Sequence, residues 1–361
     1  MRVFLISGLI AGLVTLLALL AQPAAAQSCS PSMGLSFVCG LDKPEDLIQV
    51  GSSKWILASG MGKGGSISLV DAQARTAQRL YTGVAGQIRF DRKTFPECAG
   101  APDIKVFNTH GLALRPAGAG LYRLYAVTHL PYESIQVFML DARGARPVIA
   151  WIGCVPLAKD FRTNAVTALK DGTILANVQM RGTTTNVDFI NGRITGGVYT
   201  WKPGTKGLKL LPSTELAGNN GIELSPDEKE LYVAVSGTQT VVIYRLADTS
   251  RPARQIRTPW YNLDNIHWSG NRLIAAGMMF DEPSCGGTRA QILAAHQNLD
   301  CHRGWVASQL DPQKMTWTIL AYGEPNPAFG GIATALVIGD RLWLSSFQEG
   351  KVAYCNLPAA K

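Results

Sequence analysis

The chain has few charges and few histidines for its length, and neither is concentrated in one region. Charged residues make up 17% of 361 positions, no run of five like charges occurs, and only 5 histidines are present. The formal charge of +8 is therefore spread thinly, and aromatic residues do not alternate with Lys and Arg as they do in nucleic-acid-binding surfaces. The composition predicts no nucleic-acid partner.

Long stretches of 3.6-residue apolar periodicity are also missing after residue 26, which argues against a helical fold. Residues 289–299 are the only candidate helix. Apolar residues nevertheless make up 47% of the chain, enough for a large core. The sequence therefore predicts an all-β protein.

The first 26 residues form a separate segment. Arg2 precedes a long run of Leu, Ala and Val, which ends in three alanines before Gln27. A charged start, an apolar stretch and small residues at a cleavage point are typical of a signal peptide. We therefore expect residues 1–26 to be removed and residues 27–361 to form one secreted or periplasmic domain. If uncleaved, the apolar run is about long enough to anchor the chain in a membrane.

Six segments share one pattern, in which a polar residue stands just ahead of an alternating apolar run. These openers are Glu45-Asp46, His110, Asn164, Asn220, Asp264-Asn265 and Thr334. Each leads into a strand, a turn and a second strand, at irregular steps of similar size. Repeated strand units of this kind predict a six-bladed β-propeller.

The openers suggest a metal site, because the innermost strand of every propeller blade begins near the central axis. Glu45 and Asp264 supply two negative charges that match Ca²⁺, and Asn164, Asn220 and Asn265 add neutral oxygens. An all-oxygen set favours calcium over zinc. Singly, each segment is more common as a turn or a solvated loop. Their recurrence at one position of the repeat predicts a central calcium-binding channel.

Two histidines point to catalysis. His110 is itself an opener, and His129 ends the second strand of the same blade. In an antiparallel pair the start of one strand lies beside the end of the next, so the two rings are expected to meet. One imidazole can then take a proton from water while the other stabilises the first. The alternative is a pair of ordinary loop histidines. The remaining three are expected to be structural: His267, His296 and His302.

Seven cysteines agree with an oxidising compartment. Cys285 and Cys301 bracket a short polar loop and are expected to pair with each other. Zinc binding by these two residues and His302 is the competing hypothesis, but no close cysteine spacing supports it.

Cys39 and Cys355 lie near the two ends of the folded part. A propeller needs a latch between its first and last blades, and a bridge between these two residues would close the ring. Three cysteines have no assigned partner: Cys29, Cys98 and Cys154. Because the number of cysteines is odd, one thiol must remain free.

The fourth repeat carries the clearest resemblance to a known family. Residues 219–227 (NNGIELSPD) and 231–234 (LYVA) resemble the signature of the six-bladed calcium propellers, which include gluconolactonases, strictosidine synthase-like proteins and paraoxonases. The paraoxonase/arylesterase branch is most similar. Four parts of this chain resemble motifs of that branch, in the same order: Glu45-Asp46, the pair His110 and His129, residues 263–266 and residues 351–357. The resemblance extends over residues 39 to 357.

This resemblance implies a set of site residues. The implied ligands of a catalytic calcium ion are Glu45, Asn164, Asn220, Asp264 and Asn265. A second, structural calcium would be held by Asp46 and the backbone of Leu112, and the C-terminal strand would form a disulfide to the N-terminal region. The chain departs from the family at Ala165, which replaces an aspartate of the second site. A fifth-blade histidine found in some members is also absent from residues 277–280.

The resulting hypothesis is a calcium-dependent hydrolase of lactones or aryl esters. Ca²⁺ would polarise the carbonyl group, and His110, assisted by His129, would activate water. One alternative is a non-catalytic propeller that binds a ligand or partner and uses calcium structurally. Another is a sugar-lactone hydrolase of the gluconolactonase type, which works without a histidine pair. Phe280 and Phe347 are expected to line the mouth of the site.

Overall fold

The structure is a computed structural model that describes residues 29–294 and 301–357. The proposed signal segment, His296 and residues 295–299 of the expected helix lie outside the described residues. Within the described ranges the chain forms six four-stranded sheets. None of the helices in these ranges is long and apolar enough to cross a membrane.

The N-terminal strand β1 (Ser36–Cys39) precedes the first three sheets. The first sheet contains β2 (Leu47–Gln49), β3 (Trp55–Ala58), β4 (Ser68–Asp71) and β5 (Thr76–Arg79). The second contains β6 (Leu112–Gly118), β7 (Leu121–Thr128), β8 (Ser134–Asp141) and β9 (Val148–Pro156). The third contains β10 (Arg162–Ala168), β11 (Ile174–Met180), β12 (Gly197–Trp201) and β13 (Lys209–Leu210).

Three further sheets follow in chain order. The fourth contains β14 (Asn219–Leu224), β15 (Glu230–Val235), β16 (Thr240–Arg245) and β17 (Arg254–Arg257). The fifth contains β18 (Tyr261–Ser269), β19 (Arg272–Met279), β20 (Trp305–Asp311) and β21 (Thr316–Gly323). The sixth contains β22 (Ala335–Ile338), β23 (Arg341–Leu344) and β24 (Lys351–Asn356), completed by β1.

The sheets form a closed ring. Their inner strands β2, β6, β10, β14, β18 and β22 each contact the next, and β22 contacts β2. The prediction of an all-β, six-bladed propeller is therefore confirmed. Middle strands such as β15 and β16 are apolar along most of their length because neighbouring blades cover both of their faces. The outer strand β5 is mostly exposed, and its sequence TAQR gave no strand pattern.

Backbone pairing closes the ring. Strand β1 pairs antiparallel with β24 and places Cys39 opposite Lys351. The expected bridge between Cys39 and Cys355 is wrong, because Cys39 is bonded to Cys29 and Cys355 is a free thiol. Four positions of β24 separate residues 351 and 355, which corresponds to about 13 Å along a strand. That distance is beyond the reach of a disulfide.

The other two disulfides fasten loops. Cys285 is bonded to Cys301 as expected, so their sulfur atoms do not form a zinc site. The Nδ1 atom of His302 lies 2.8 Å from a backbone carbonyl oxygen. Cys98 is bonded to Cys154 and ties the long segment between β5 and β6 to strand β9.

Two short α-helices lie against each other: α1 (Asn186–Ile190), between β11 and β12, and α2 (Arg289–Ala294), between β19 and β20. Helix α2 coincides with the start of the expected helix, whereas α1 was not predicted. Two 3₁₀ turns complete the secondary structure of the described ranges, at Ala85–Gln87 and Pro283–Cys285.

Candidate metal and catalytic site

Five of the six openers contribute a residue to one cavity of about 260 Å³, and the sixth, Thr334, does not line it. Five predicted site residues line it: Glu45, His110, Asn164, Asn220 and Asp264. Asn265 joins them, since its Nδ2 atom donates to Oε1 of Glu45 over 2.7 Å. Each residue lies in the first half of an inner strand, near its middle at the latest, or just before the strand, so the ring itself brings together residues that are far apart in sequence.

Irregularities in the strand pairing coincide with these residues. The register of β10 shifts between Thr163 and Ala165, on either side of Asn164. Strand β14 shifts between Asn219 and Ile222, and β18 shifts between Leu263 and Ile266. A bulge of this kind releases a residue from the ladder and re-aims its side chain. The bulges therefore explain how consecutive polar residues leave the sheet at this point.

Two glycines allow the inner strands to approach closely here. A Cβ atom on Gly111 would lie 2.5 Å from the carbonyl oxygen of Asn164. On Gly221 it would lie 2.8 Å from the Cα atom of Asn265. Any larger residue at either position would push the openers apart.

The acceptor cluster, defined as Glu45, Asn164, Asn220, Asp264 and Asn265, contains oxygens without partners. Among the residues that the structure describes, no donor reaches four buried atoms: Glu45 Oε2, Asn164 Oδ1, Asn220 Oδ1 and Asn265 Oδ1. The amide nitrogens of Asn220 and Asn265 are engaged, the first with Ser236 Oγ at 2.7 Å and the second with Glu45 Oε1 and Thr334 Oγ1. Unsatisfied buried acceptors are costly, and a hard cation would satisfy them. This donor set fits Ca²⁺.

The amides are essential to that fit. Among the residues that the structure describes, no group of three or more His, Cys, Asp or Glu side chains is arranged to hold a metal ion. A cation in this cavity would therefore depend on three asparagine oxygens as well as on the two carboxylates.

The electrostatics of the cavity also favour a cation. Burial raises the pKa of Asp264, and the neighbouring Glu45 carboxylate raises it further, to about 7. Burial lowers the pKa of His110, but the carboxylates, Glu45 first among them, outweigh burial and raise it above its ordinary value. The His110 Nε2 atom lies 3.5 Å from Glu45 Oε2. Two carboxylates in one cavity destabilise each other unless a positive charge lies between them.

The two candidate catalytic histidines are in contact, and a carboxylate extends them into a chain. His110 Nδ1 lies 2.8 Å from His129 Nε2, and His129 Nδ1 lies 2.7 Å from Glu133 Oε1. Glu133 is buried, and its other oxygen accepts a hydrogen bond from the backbone N–H of Thr163 over 3.2 Å. We call these three side chains the relay. Glu133 was not predicted, and its position four residues after His129 was the only signal in the sequence.

The relay fixes the roles of the ring nitrogens. Since the Glu133 carboxylate accepts a hydrogen bond from His129 Nδ1–H, the Nε2 atom of neutral His129 can only accept a hydrogen bond from His110 Nδ1–H. This leaves His110 Nε2 as the nitrogen that faces Glu45 and the cavity. A group held in this way can exchange a proton with a molecule in the cavity.

Asp46, the carboxylate next to Glu45, has a different environment. Its Oδ2 atom accepts from the backbone N–H of Leu112 over 2.7 Å. Its Oδ1 atom accepts from Leu47 N, from Thr334 Oγ1 and from His267 Nε2, all within 2.9 Å. Protein donors therefore satisfy both oxygens of the residue that was expected to hold a second calcium ion.

His267 links Asp46 to a second ion pair. Its Nδ1 atom lies 3.5 Å from Glu223 Oε2, and Glu223 Oε1 accepts from Arg115 over 2.8 Å. Burial opposes the charged form of His267, but Asp46 raises its pKa to about 10. Burial likewise opposes ionisation of Glu223, yet the Arg115 guanidinium lowers its pKa to about 2. These four side chains, which we call the ion-pair cluster, hold two carboxylates against two cations.

The walls of the cavity come from several blades. Phe347 lines it as expected, together with Met61 and Met278. Phe280 does not, because it lines a separate cavity beside Trp260. The two helices contribute three further side chains, none of which was predicted: Asn186, Phe189 and Arg289.

Comparison with known proteins supports the fold. No protein-family model and no curated protein matches this chain. Among solved structures, a gluconolactonase from Xanthomonas campestris is 15% identical, with 93% of this chain and 98% of that chain covered and a TM-score of 0.52. A luciferin-regenerating enzyme is 14% identical over 88% of this chain and 91% of that chain, with a TM-score of 0.49.

A third similar structure is Raptor from Chaetomium thermophilum, with 9% identity and a TM-score of 0.50. It covers 92% of this chain, which spans 29% of the Raptor chain. Similarity at these identities concerns the fold, and propellers host many unrelated functions. Fold and geometry together define a six-bladed β-propeller with a polar cavity at the start of its inner strands.

Proposed function

We propose that this protein is a secreted or periplasmic calcium-dependent hydrolase of lactones or aryl esters, of the paraoxonase/arylesterase type. The observation that carries the proposal is the relay, which ends beside four unpartnered oxygens of the acceptor cluster. Likeness in fold to a gluconolactonase supports lactone chemistry. Three disulfides agree with an oxidising compartment.

The acceptor cluster is the proposed calcium site, with Glu45, Asn164, Asn220, Asp264 and Asn265 as ligands. When bound there, the ion would stabilise the negative charge that develops on the carbonyl oxygen of the substrate. Ser236 and Thr334 position the amides of Asn220 and Asn265 so that their oxygens remain available. We propose a single ion, since Asp46 and Leu112 are engaged with each other and Ala165 supplies no carboxylate.

His110 is the proposed general base. Its Nε2 atom takes a proton from a water molecule, whose oxygen attacks the ester carbonyl carbon. The proton then passes to the leaving alkoxide or phenoxide oxygen, so that ester and water give an acid and an alcohol. His129 and Glu133 hold the tautomer and stabilise the positive charge on His110. General-base assistance of this kind contributes about 10²–10⁴ in rate.

Fold similarity also favours a second candidate, a sugar-lactone hydrolase like the Xanthomonas gluconolactonase. That alternative uses the acceptor cluster but does not need the relay. Small polar sugar lactones, compared with aryl esters and long-chain lactones, separate the two candidates.

The test is turnover by the chain beginning at Gln27 on a panel of lactones and aryl esters. EDTA is expected to abolish turnover, and added Ca²⁺ is expected to restore it. Absence of turnover, combined with a melting temperature that rises with Ca²⁺, would contradict the hydrolase and leave a ligand-binding propeller. Turnover that EDTA does not affect would remove the metal from the proposal.

A further inference from the structure

Arg289 is a cation in the candidate site whose role the proposed reaction does not explain. It is the first residue of α2 and lines the same cavity as His110 and Asp264. The residue is partly buried. Within residues 29–294 and 301–357, no side chain or carbonyl accepts a hydrogen bond from its guanidinium, although the Asp264 carboxylate acts on it through space.

Three other arginines have acceptors within the protein. Arg303 donates to three backbone carbonyls, including that of Gly287 at 2.6 Å. Arg181 is paired with Glu215, and Arg115 with Glu223. Burial lowers the pKa of Arg289, whereas Asp264 opposes this effect. A guanidinium stays charged and offers five N–H donors, so a partly desolvated one without acceptors gains from a bound anion.

With one calcium ion bound, the carboxylates that line the cavity would leave the positive charge of Arg289 without a counter-charge. Glu45 and Asp264 are the two carboxylates among the lining residues, and they match the charge of one Ca²⁺ ion. Arg289 then contributes an excess positive charge. Asn186 and Gln179 line the same cavity and can donate hydrogen bonds from their side-chain amides.

We propose that Arg289 selects substrates that carry a carboxylate in addition to the ester or lactone group that is hydrolysed. This inference rests on the proposed function, because it assigns binding positions to two groups of one substrate of that hydrolase. The reacting carbonyl lies at the acceptor cluster and His110, and the carboxylate pairs with the Arg289 guanidinium. Guanidinium groups bind carboxylates through two parallel hydrogen bonds, which gives specificity as well as affinity.

The variant that tests this is Arg289→Gln, with Arg289→Lys to restore the charge. Arg272→Gln is the matched control, since Arg272 begins β19 and Met278, near the other end of that strand, lines the cavity. That places Arg272 about 20 Å from the cavity. The substrates are a γ-lactone with a ring carboxylate and the corresponding carboxamide, both assayed with Ca²⁺.

For Arg289→Gln we expect kcat/KM on the carboxylate to fall by about tenfold to a hundredfold, the range of a lost charge-assisted hydrogen bond. The carboxamide should change by less than about twofold, because it makes no ion pair. Arg289→Lys should recover part of the loss, and Arg272→Gln should alter neither substrate. An equal fall for both substrates would overturn the proposal, because Arg289 would then act on the site in general.

Binding separates this inference from the hydrolase itself. Calorimetry measures how tightly the calcium-loaded protein binds benzoate and benzamide. Neither compound is an ester or a lactone, so neither is a substrate of the proposed hydrolase. Benzoate should bind about tenfold more tightly to wild type than to Arg289→Gln, with benzamide unchanged. If this difference in benzoate binding is observed while no ester or lactone is turned over, the anion site is supported and the hydrolase proposal is wrong. If turnover is present but wild type and Arg289→Gln bind benzoate equally tightly, the proposed anion site is wrong and the hydrolase proposal is supported.

Discussion

Two adjacent groups of buried polar side chains differ in how their oxygens are satisfied. In the ion-pair cluster, both oxygens of Asp46 accept protein hydrogen bonds, and Glu223 faces Arg115 and His267. In the acceptor cluster, four buried oxygens have no donor within residues 29–294 and 301–357. Both clusters use carboxylates that lie in an inner strand or just before one, and Glu45 and Asp46 are consecutive residues. Residue type alone therefore does not distinguish a structural carboxylate from a ligand.

What distinguishes them is whether donors of the described residues reach the oxygen atoms, since His110 and Arg289 line the cavity of the acceptor cluster and still leave four of its oxygens without a donor. The ion-pair cluster contains its own positive charges and can remain buried without a ligand. The acceptor cluster combines Glu45 and Asp264 with amide oxygens, and a bound cation would compensate them. From this comparison we expect the first cluster to determine stability and the second to determine metal binding and turnover.

The largest effect on calcium binding is expected for Asp264→Asn, which preserves shape and removes one charge from the acceptor cluster. Calcium affinity should fall by about a thousandfold, since the number of charged ligands strongly affects affinity for this ion. The rise in melting temperature that Ca²⁺ causes should be lost. Glu223→Gln makes the same chemical change in the ion-pair cluster and should keep that rise. Equal losses in both variants would refute the division between the clusters.

His110→Gln should reduce kcat by about 10²–10⁴ because it removes the general base. The variant should still show the melting-temperature rise with Ca²⁺, since His110 is not a proposed ligand. His302→Gln is the control, because His302 contacts a backbone carbonyl outside the cavity. Undiminished turnover in His110→Gln would exclude the relay from the mechanism.

Glu223→Gln should lower the free energy of unfolding at neutral pH by about 3 kcal/mol, as expected when one partner of a buried ion pair is removed. The folded-state pKa of Glu223 is lowered to about 2 from an ordinary value of 4.5. Its contribution is therefore present above pH 4.5 and is lost as the pH falls through about 2. Denaturant unfolding across this range should show the two proteins converging at low pH. A difference independent of pH would argue against this ion pair.

Glu133→Gln should have the smallest effect, a reduction of kcat by about 10- to 100-fold, as for other residues that orient a functional histidine. An amide no longer fixes the proton on His129 Nδ1, so the pH profile of kcat should also shift. Glu230→Gln breaks an ion pair with Arg254 away from the cavity and is the control. If Glu133→Gln changes only KM and leaves the pH profile unaltered, Glu133 does not position the relay.

The sequence predicted the part of the molecule that repeats. Polar residues at the start of each inner strand, such as Asn164 and Asn220, follow one pattern, and a propeller brings such positions to its axis. The outer strands β5 and β13 were missed because they are short and largely exposed and carry little apolar signal. The bulges at the openers depend on pairing between strands, and no local pattern indicated them.

The features that the sequence did not predict arise from contacts between segments far apart in the chain. Arg289 reaches the cavity from an inserted helix, and Glu223 pairs with a residue 108 positions away in the sequence. The bridge between Cys39 and Cys355 was expected from their positions near the two chain ends and from the resemblance. The register of β1 on β24 and the bond between Cys39 and Cys29 rule it out. Such pairings follow from the three-dimensional arrangement, which single-sequence patterns do not contain.

The most direct test of the central claim is a calorimetric titration of Ca²⁺ into protein stripped with EDTA. We predict one calcium ion bound per chain, lost in Asp264→Asn and retained in Glu223→Gln. Absence of binding to wild type, or a second ion bound with similar affinity, would contradict the account.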